Sequence, residues 1–309
     1  MKIRTKERDA EAIQFHYDVS NEFYALFLDA RMVYTCAYYR RPDGDLDRAQ
    51  EDKLDLVCRK LRLTPGERLL DIGCGWGSLV VWAAERYGVE AHGVTLSAEQ
   101  AKYAQAAIRR AGVEDRARVD HLDYRDLPAA IRFDKIAAVG VIEHVGIANY
   151  PRYFARVHDL LEPGGLFLNH GITHEKHWRR GSQTEFLERF VFPNGQLDNV
   201  SHIVDVLEQA RFEVLDVEAL RAHYARTTRQ WVERLQANAD RARALVSERV
   251  YRTWIAYLAA SSVGFTNGGI GLYQVLASRP DPALREAVPT TREPIYAAPT
   301  PPRRLARAS

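Results

Sequence analysis

The chain has 309 residues, 46% of them hydrophobic, which is ample for a large buried core. A net charge of +2 and a pI near 8.4 are too mild for a nucleic-acid binder. Three cysteines, Cys36, Cys58 and Cys74, show neither CxxC nor Cys/His spacing, so no metal site or disulfide framework is expected and a reducing cytoplasm is the expected setting.

The elements follow in chain order. Residues 1–60 read as a helical N-terminal cap rich in aromatics, among them Phe23, Tyr24, Phe27, Tyr34, Tyr38 and Tyr39. A domain over 61–280 then alternates strand-like and helix-like segments, the mark of a parallel sheet with crossover helices. Strands are predicted at Arg68–Ile72, Val89–Thr95, Ala117–His121, Phe133–Val141, Leu166–His170, Phe212–Ala219 and Gly271–Ser278. Helices are predicted at Ser78–Tyr87, Ala98–Arg110 and Tyr150–Leu161. The pattern is α/β, a doubly wound seven-stranded sheet of Rossmann-like type.

Two segments interrupt the alternation, at about 173–205 and 223–264, the second amphipathic and helical. Excursions this long are usually functional. Both, together with the cap over 1–60, are expected to gather over the carboxyl ends of the strands, where open α/β sheets bind ligands. Within the second, Trp231, Trp254 and Tyr257 recur at helical spacing and read as core. Residues 281–309 turn to Pro, Ala, Arg and Thr and read as a disordered tail. No run reaches the ~18 apolar residues of a membrane span. Lys2, Arg4, Lys6 and Arg8 at one end, and Arg303, Arg304 and Arg307 at the other, suit peripheral contact with an anionic membrane.

The first chemical signal is Leu69-Leu70-Asp71-Ile72-Gly73-Cys74-Gly75-Trp76-Gly77. Gly73, Gly75 and Gly77 let backbone approach a ligand between a strand and a helix. A dinucleotide site would carry G-x-G-x-x-G, with its third glycine one residue later, and would not place an acid before it. Asp71 repels a pyrophosphate and suits a cationic ligand such as S-adenosylmethionine (SAM), a sulfonium with an amino-acid tail. Thr95 and Gln100, after the second strand, stand where many methyltransferases grip the ribose. Asp123 and Tyr124, after the third, are placed to bond and flank the adenine. The fold expected is thus the class I methyltransferase variant of the doubly wound sheet.

Further boxes resemble the cyclopropane fatty acid synthases, including the mycolic acid cyclopropane synthases, from about His16 to Ser278. They are His16-Tyr17-Asp18, Tyr34-Thr35-Cys36-Ala37-Tyr38, Gly93-Val94-Thr95-Leu96-Ser97, Glu143-His144-Val145-Gly146, His170-Gly171-Ile172, Phe192-Pro193-Asn194-Gly195 and His223-Tyr224-Ala225, beside the glycine motif. The tyrosine–cysteine, Glu-His-Val-Gly and His-Tyr-Ala boxes are the specific ones. The resemblance implies SAM as cofactor, with Tyr34 added to its binding group, and an unsaturated acyl lipid as substrate. It also implies a bicarbonate that takes the proton from a carbocation before a cyclopropane ring closes. The bicarbonate ligands it implies are Cys36 and Ile172 through backbone groups, and Glu143, His170 and Tyr224 through side chains. Nothing near Cys36 in sequence would activate a thiol, and alkylating an alkene requires no covalent intermediate.

Thr35 stands where that family has Ser, Ile142 where Phe is common, Gly171 where Thr is usual, and Thr266 where Arg follows Phe265. The Ile142 change implies that an aromatic wall near the reacting carbon is missing. In length the chain is similar to the mycolic-type members, whereas Asp123-Tyr124-Arg125-Asp126-Leu127 and Phe192-Pro193-Asn194-Gly195 look like the phospholipid type. The alternative product is a methyl- or methylene-branched chain, and another alkene or an amine is the alternative acceptor. A SAM-binding protein without activity is the reading from a different class. The sequence leaves homodimer formation open.

Overall fold

The computed structural model describes residues 19–41, 43–177, 179, 181–192, 195–281, 283 and 291–296. The N-terminal basic residues, His16-Tyr17-Asp18, Pro193-Asn194 and most of the C-terminal tail lie outside them.

Helix α1 (Asn21–Tyr24) is a single turn capped by Ser20, and α2 (Leu46–Lys60) is capped by Asp45, whose carboxylate accepts from Arg48 N. The helical cap predicted over 1–60 is corrected between these two. The described residues of 25–45 form no helix, because side chains and tight turns take over the backbone there. The Asp29 carboxylate accepts from the amides of Arg31 and Val33, and Met32 sits at φ 59°. Nor is α2 part of a separate cap. Its Leu54, Val57 and Cys58 belong to the same core as the first strands.

β1 (Arg68–Ile72), α3 (Ser78–Tyr87), β2 (Glu90–Thr95), α4 (Ala98–Ala111) and β3 (Ala117–His121) follow as read from the sequence. β4 (Phe133–Val139) stops before Gly140, which turns at φ 74°, and α5 (Ile142–Val145) is a single turn. α6 (Tyr150–Leu160) buries Tyr150, Tyr153, Phe154, Val157 and Leu160, the 3–4 spacing of one helical face. Burying each such side chain contributes roughly 1.5–3 kcal/mol.

β5 (Leu161–His174) runs past the predicted strand at both ends, taking in Pro163-Gly164-Gly165 before it and Ile172 after it. α7 (Ser182–Phe190), α8 (Val200–Gln209) and β6 (Glu213–Ala219) lead to α9 (Arg221–Ala237), α10 (Ala239–Leu245) and α11 (Glu248–Asn267). β7 (Ile270–Ser278) closes the sheet, and α12 (Glu293–Tyr296) adds one turn within the tail predicted to be disordered. That turn is held because Ile295 is buried and Arg292 pairs with Asp216 at 2.7 Å.

The seven strands take the order β3-β2-β1-β4-β5-β7-β6, with β7 antiparallel to both neighbours. Apolar cores fill the two faces of the sheet. A third core, rich in Phe, Tyr and Trp, joins the N-terminal segment to α9 and α11. In it Tyr24 meets Trp76 at 4.8 Å between ring centroids, and Tyr34 meets Trp231 at 5.2 Å. Among the described residues, no helix is long and apolar enough to cross a membrane.

Candidate active site

A cavity of about 660 Å³ is lined by the carboxyl ends of β1 and β4, by β5, and by residues of α2, α9 and α11. Asp71, at the end of β1, is 3% exposed, and burial pushes its carboxyl up to about 7 against the pull of the Lys53 ammonium. The chain then turns at Gly73, φ 71°, where a Cβ would come within 2.6 Å of Val141 Cγ2. Only glycine leaves both that conformation and that space open. Gln100 also reaches the wall, its side-chain oxygen accepting from Thr95 Oγ1 at 2.9 Å. Tyr34 and Tyr257 meet hydroxyl to hydroxyl at 3.0 Å.

A second group of walls carries acid–base side chains. Glu143 stands on α5, just beyond β4, where its Oε1 accepts from Ile172 N at 2.6 Å. Its Oε2 is buried with no hydrogen-bond partner. Burial lifts this carboxyl to about 7, against the hydrogen bond from Ile172. His170 on β5 faces Gln274 across the β5–β7 ladder, with Nδ1 and the Gln274 amide nitrogen 3.1 Å apart. Its Nε2 is buried without a partner. Burial holds the imidazole well below its ordinary pKa, with Lys53 and Lys60 pushing the same way. A neutral ring accepting at Nδ1 carries its proton on Nε2. The two orphans are therefore one acceptor and one donor. Tyr224, in the first turns of α9, lies flat on Phe265 of α11 at 4.4 Å between centroids.

Of the residues singled out in the sequence, Tyr34, Asp71, Gly73, Gly75, Gln100, Glu143, His170, Ile172 and Tyr224 line this cavity together. The remaining five do not. Gly77 serves helix packing instead, since a Cβ there would lie 2.7 Å from Ala104 Cβ. Thr95 stands behind Gln100 and orients it. The Asp123 carboxylate accepts from Arg125 Nε at 2.8 Å and from its backbone amide at 2.9 Å. Tyr124 meets Tyr153 edge-on rather than facing the cavity. Cys36 is fully buried, and its thiol points to the carbonyls of Ala37 at 3.2 Å and Leu220 at 3.9 Å. Burial pushes that thiol far above its ordinary pKa, which leaves it without nucleophilic character.

Tyr257, read as core with Trp231 and Trp254, packs with them in the aromatic core and also lines the cavity. Ile142 is 1% exposed in the core and does not line the cavity, so no aromatic ring stands at that position of the wall. Its Cγ2 fills the space beside Gly171, where a Cβ would lie 2.2 Å away. Positions 142 and 171 thus compete for one space. Sequence reasoning also missed Lys53, a wall residue 2% exposed. The signal was present, because Lys53 shares the inward face of α2 with Gln50, Leu54 and Val57.

Comparison with known proteins agrees with this architecture. The sequence model of the family described as mycolic acid cyclopropane synthetase matches residues 4–275. A protein of Pseudomonas putida named "Probable fatty acid methyltransferase" is 47% identical over 296 residues, covering 94% of this chain and 75% of that one. A protein of the same description from Mycobacterium tuberculosis is 45% identical over 287 residues, covering 93% and 67%. The solved structure of the mycolic acid cyclopropane synthase CmaA1 complexed with SAH and CTAB superposes with a TM-score of 0.82 at 35% identity, over 87% of this chain and 98% of that one.

Proposed function

This chain belongs to the mycolic acid cyclopropane synthetase family of SAM-dependent methyltransferases, and we propose that it transfers a methylene group from SAM to the double bond of an unsaturated acyl chain. The acyl chain is phospholipid-linked in this reading, and the product is a cyclopropane ring. SAH in the CmaA1 complex and the fatty acid methyltransferase names of two relatives support the cofactor and the substrate class.

The observation that carries the ring-forming step is the orphan pair, Glu143 Oε2 and His170 Nε2, on the walls of one apolar cavity. A buried polar atom without a partner is costly, so the pair calls for a ligand that donates and accepts at once. Bicarbonate does both, and the site fits it. SAM fits the β1 end, where Gly73 leaves the backbone open and Asp71 supplies an anion beside the sulfonium-bearing ligand.

When bound, SAM supplies an electrophilic methyl group and bicarbonate supplies a base. The chain's own part is positioning and exclusion. Glu143 accepts the bicarbonate hydroxyl, held in place by Ile172 N, and His170 donates from Nε2 with its ring fixed by Gln274. Tyr224 is clamped on Phe265 and lines the same cavity. The aromatic walls Tyr34, Tyr257 and Phe192 keep water from a cationic substrate and stabilise it through their ring faces, by up to roughly 2 kcal/mol when desolvated.

The names of the two relatives favour a second reading, C-methylation of an acyl chain without ring closure. Mass spectrometry of monounsaturated phospholipid vesicles incubated with the protein, SAM and bicarbonate separates the two. A product heavier by one methylene and resistant to mild hydrogenation is expected. A product of that mass that takes up hydrogen would instead establish a branched alkene. No product, with SAM bound, would remove this lipid as substrate.

A further inference from the structure

The cavity wall contains a buried cation that the acid–base chemistry above does not employ. Lys53 projects from α2 and is 2% exposed, yet it lines the cavity. Its Nζ donates to Thr35 Oγ1 at 3.0 Å and makes no ion pair among the described residues. An ammonium carries three donors, and burying one without a contacting anion is unfavourable. The carboxylates that act on it are Asp29 and Asp71. Asp29 is already engaged, accepting from Arg31 N at 2.9 Å and Val33 N at 2.8 Å. Asp71 faces the same cavity.

The contacts around Lys53 follow one seam. Thr35, its partner, brings its methyl group to 3.0 Å from the Cβ position of Gly140, at the end of β4. Gly73, at the end of β1, lies against Val141 next along the chain. Lys53 and Asp71 thus set one positive and one negative charge on the wall where the ends of β1 and β4 meet. A zwitterionic amino-acid group is the complement of such a pair, whereas a bicarbonate gains nothing from Asp71. The orphan atoms of Glu143 and His170 serve that smaller anion elsewhere on the wall.

We propose that Lys53 binds the α-carboxylate of the methionine portion of SAM, opposite Asp71. This rests on the SAM reading above and adds the group that recognises the amino-acid end. The same Lys53 hydrogen bond holds Thr35, so the cation also ties the cofactor to the segment that carries Tyr34.

The test is calorimetric binding of S-adenosylhomocysteine and of its decarboxylated analogue to the full chain, to Lys53→Met and to Lys53→Arg. The parent protein is expected to prefer the carboxylate-bearing ligand by about 10- to 100-fold, the size of a charge-assisted hydrogen bond. Lys53→Met should reduce that preference to within about threefold, mainly by weakening S-adenosylhomocysteine, and Lys53→Arg should keep most of it. An undiminished preference in Lys53→Met, or no preference in the parent, overturns the assignment. The parent measurement needs no variant, and Lys53→Gln, which keeps a donor toward Thr35, replaces Lys53→Met should the latter not fold. If the parent binds neither ligand, the SAM reading itself falls. If it binds both and only the preference is unaffected, the role of Lys53 alone is rejected.

Discussion

Glu143 combines burial, a fixed orientation and an unpartnered oxygen, and each has a measurable consequence. Burial raises its pKa from 4.5 to about 7, so the group is neutral below that value and ionised above it. As a carboxylate it accepts; protonated, it loses the acceptor that orients the base. Asp71 is raised to about 7 in the same direction, while His170 stays neutral because its pKa is depressed. We therefore expect kcat/KM to rise as pH is increased from about 6 to about 8. Glu143→Gln keeps the bond from Ile172 N but removes the charge, and should lower turnover by about 10²- to 10⁴-fold while S-adenosylhomocysteine still binds. The stability effect has the opposite sign. A carboxyl whose folded pKa is raised is penalised progressively as pH climbs from the unfolded to the folded value. Between 4.5 and about 7 the parent should lose melting temperature relative to Glu143→Gln. A parallel pair of melting curves across that window would contradict the assignment.

Among the elements, β5 and α5 decide the geometry of the acid–base group. β5 continues in register with β7 through His170↔Gln274 and Ile172↔Leu272, which puts His170 and Ile172 on one rigid ladder. α5 packs on that ladder through Ile142, whose Cγ2 occupies the place a side chain at 171 would take. Gly171→Ala should therefore cost about 1–3 kcal/mol and displace the turn that carries Glu143. Ile142→Leu removes the offending branch, so the double variant should recover about 1 kcal/mol or more of that loss. Urea unfolding of the four proteins in the cycle measures the coupling; strict additivity would mean that the contact does not link the two positions. The N-terminal segment is tied on in a similar way. Tyr39 N donates to His223 Nδ1 at 2.9 Å, and Tyr38 stacks on the same ring at 4.6 Å between centroids.

For the whole molecule, no described helix can span a bilayer, and we propose that the protein meets its lipid at the membrane surface. The basic residues that suit such contact, Lys2, Arg4, Lys6 and Arg8 and then Arg303, Arg304 and Arg307, all belong to the chain ends outside the described structure. Each would contribute about 1 kcal/mol near an anionic surface and lose it over a Debye length of salt. Removing residues 1–18 and 297–309 should abolish co-sedimentation with anionic vesicles in low salt. S-adenosylhomocysteine binding should be unaffected. Retained sedimentation of the truncated chain would place the contact on the folded body instead.

The sequence by itself determined the sheet and the glycine turn that ends β1. Strand periodicity, the glycine turn after Asp71 and the helix caps are local, so their physics can be read from neighbouring residues. The boxes around Glu143, His170 and Tyr224 were legible too, although resemblance rather than spacing joined them. What the tertiary structure decided are the contacts between residues far apart in the chain. Lys53 is an ordinary helix lysine until α2 packs on the sheet and turns it toward Thr35 and Asp71. Tyr257 is a cavity wall as well as core, and Tyr34 meets it there across more than 200 residues of chain. The described residues of 25–45 lose their helix because Asp29 and Gln50 bind backbone groups of that segment. In each case burial and pairing, which depend on what lies across the fold, overrode a local preference.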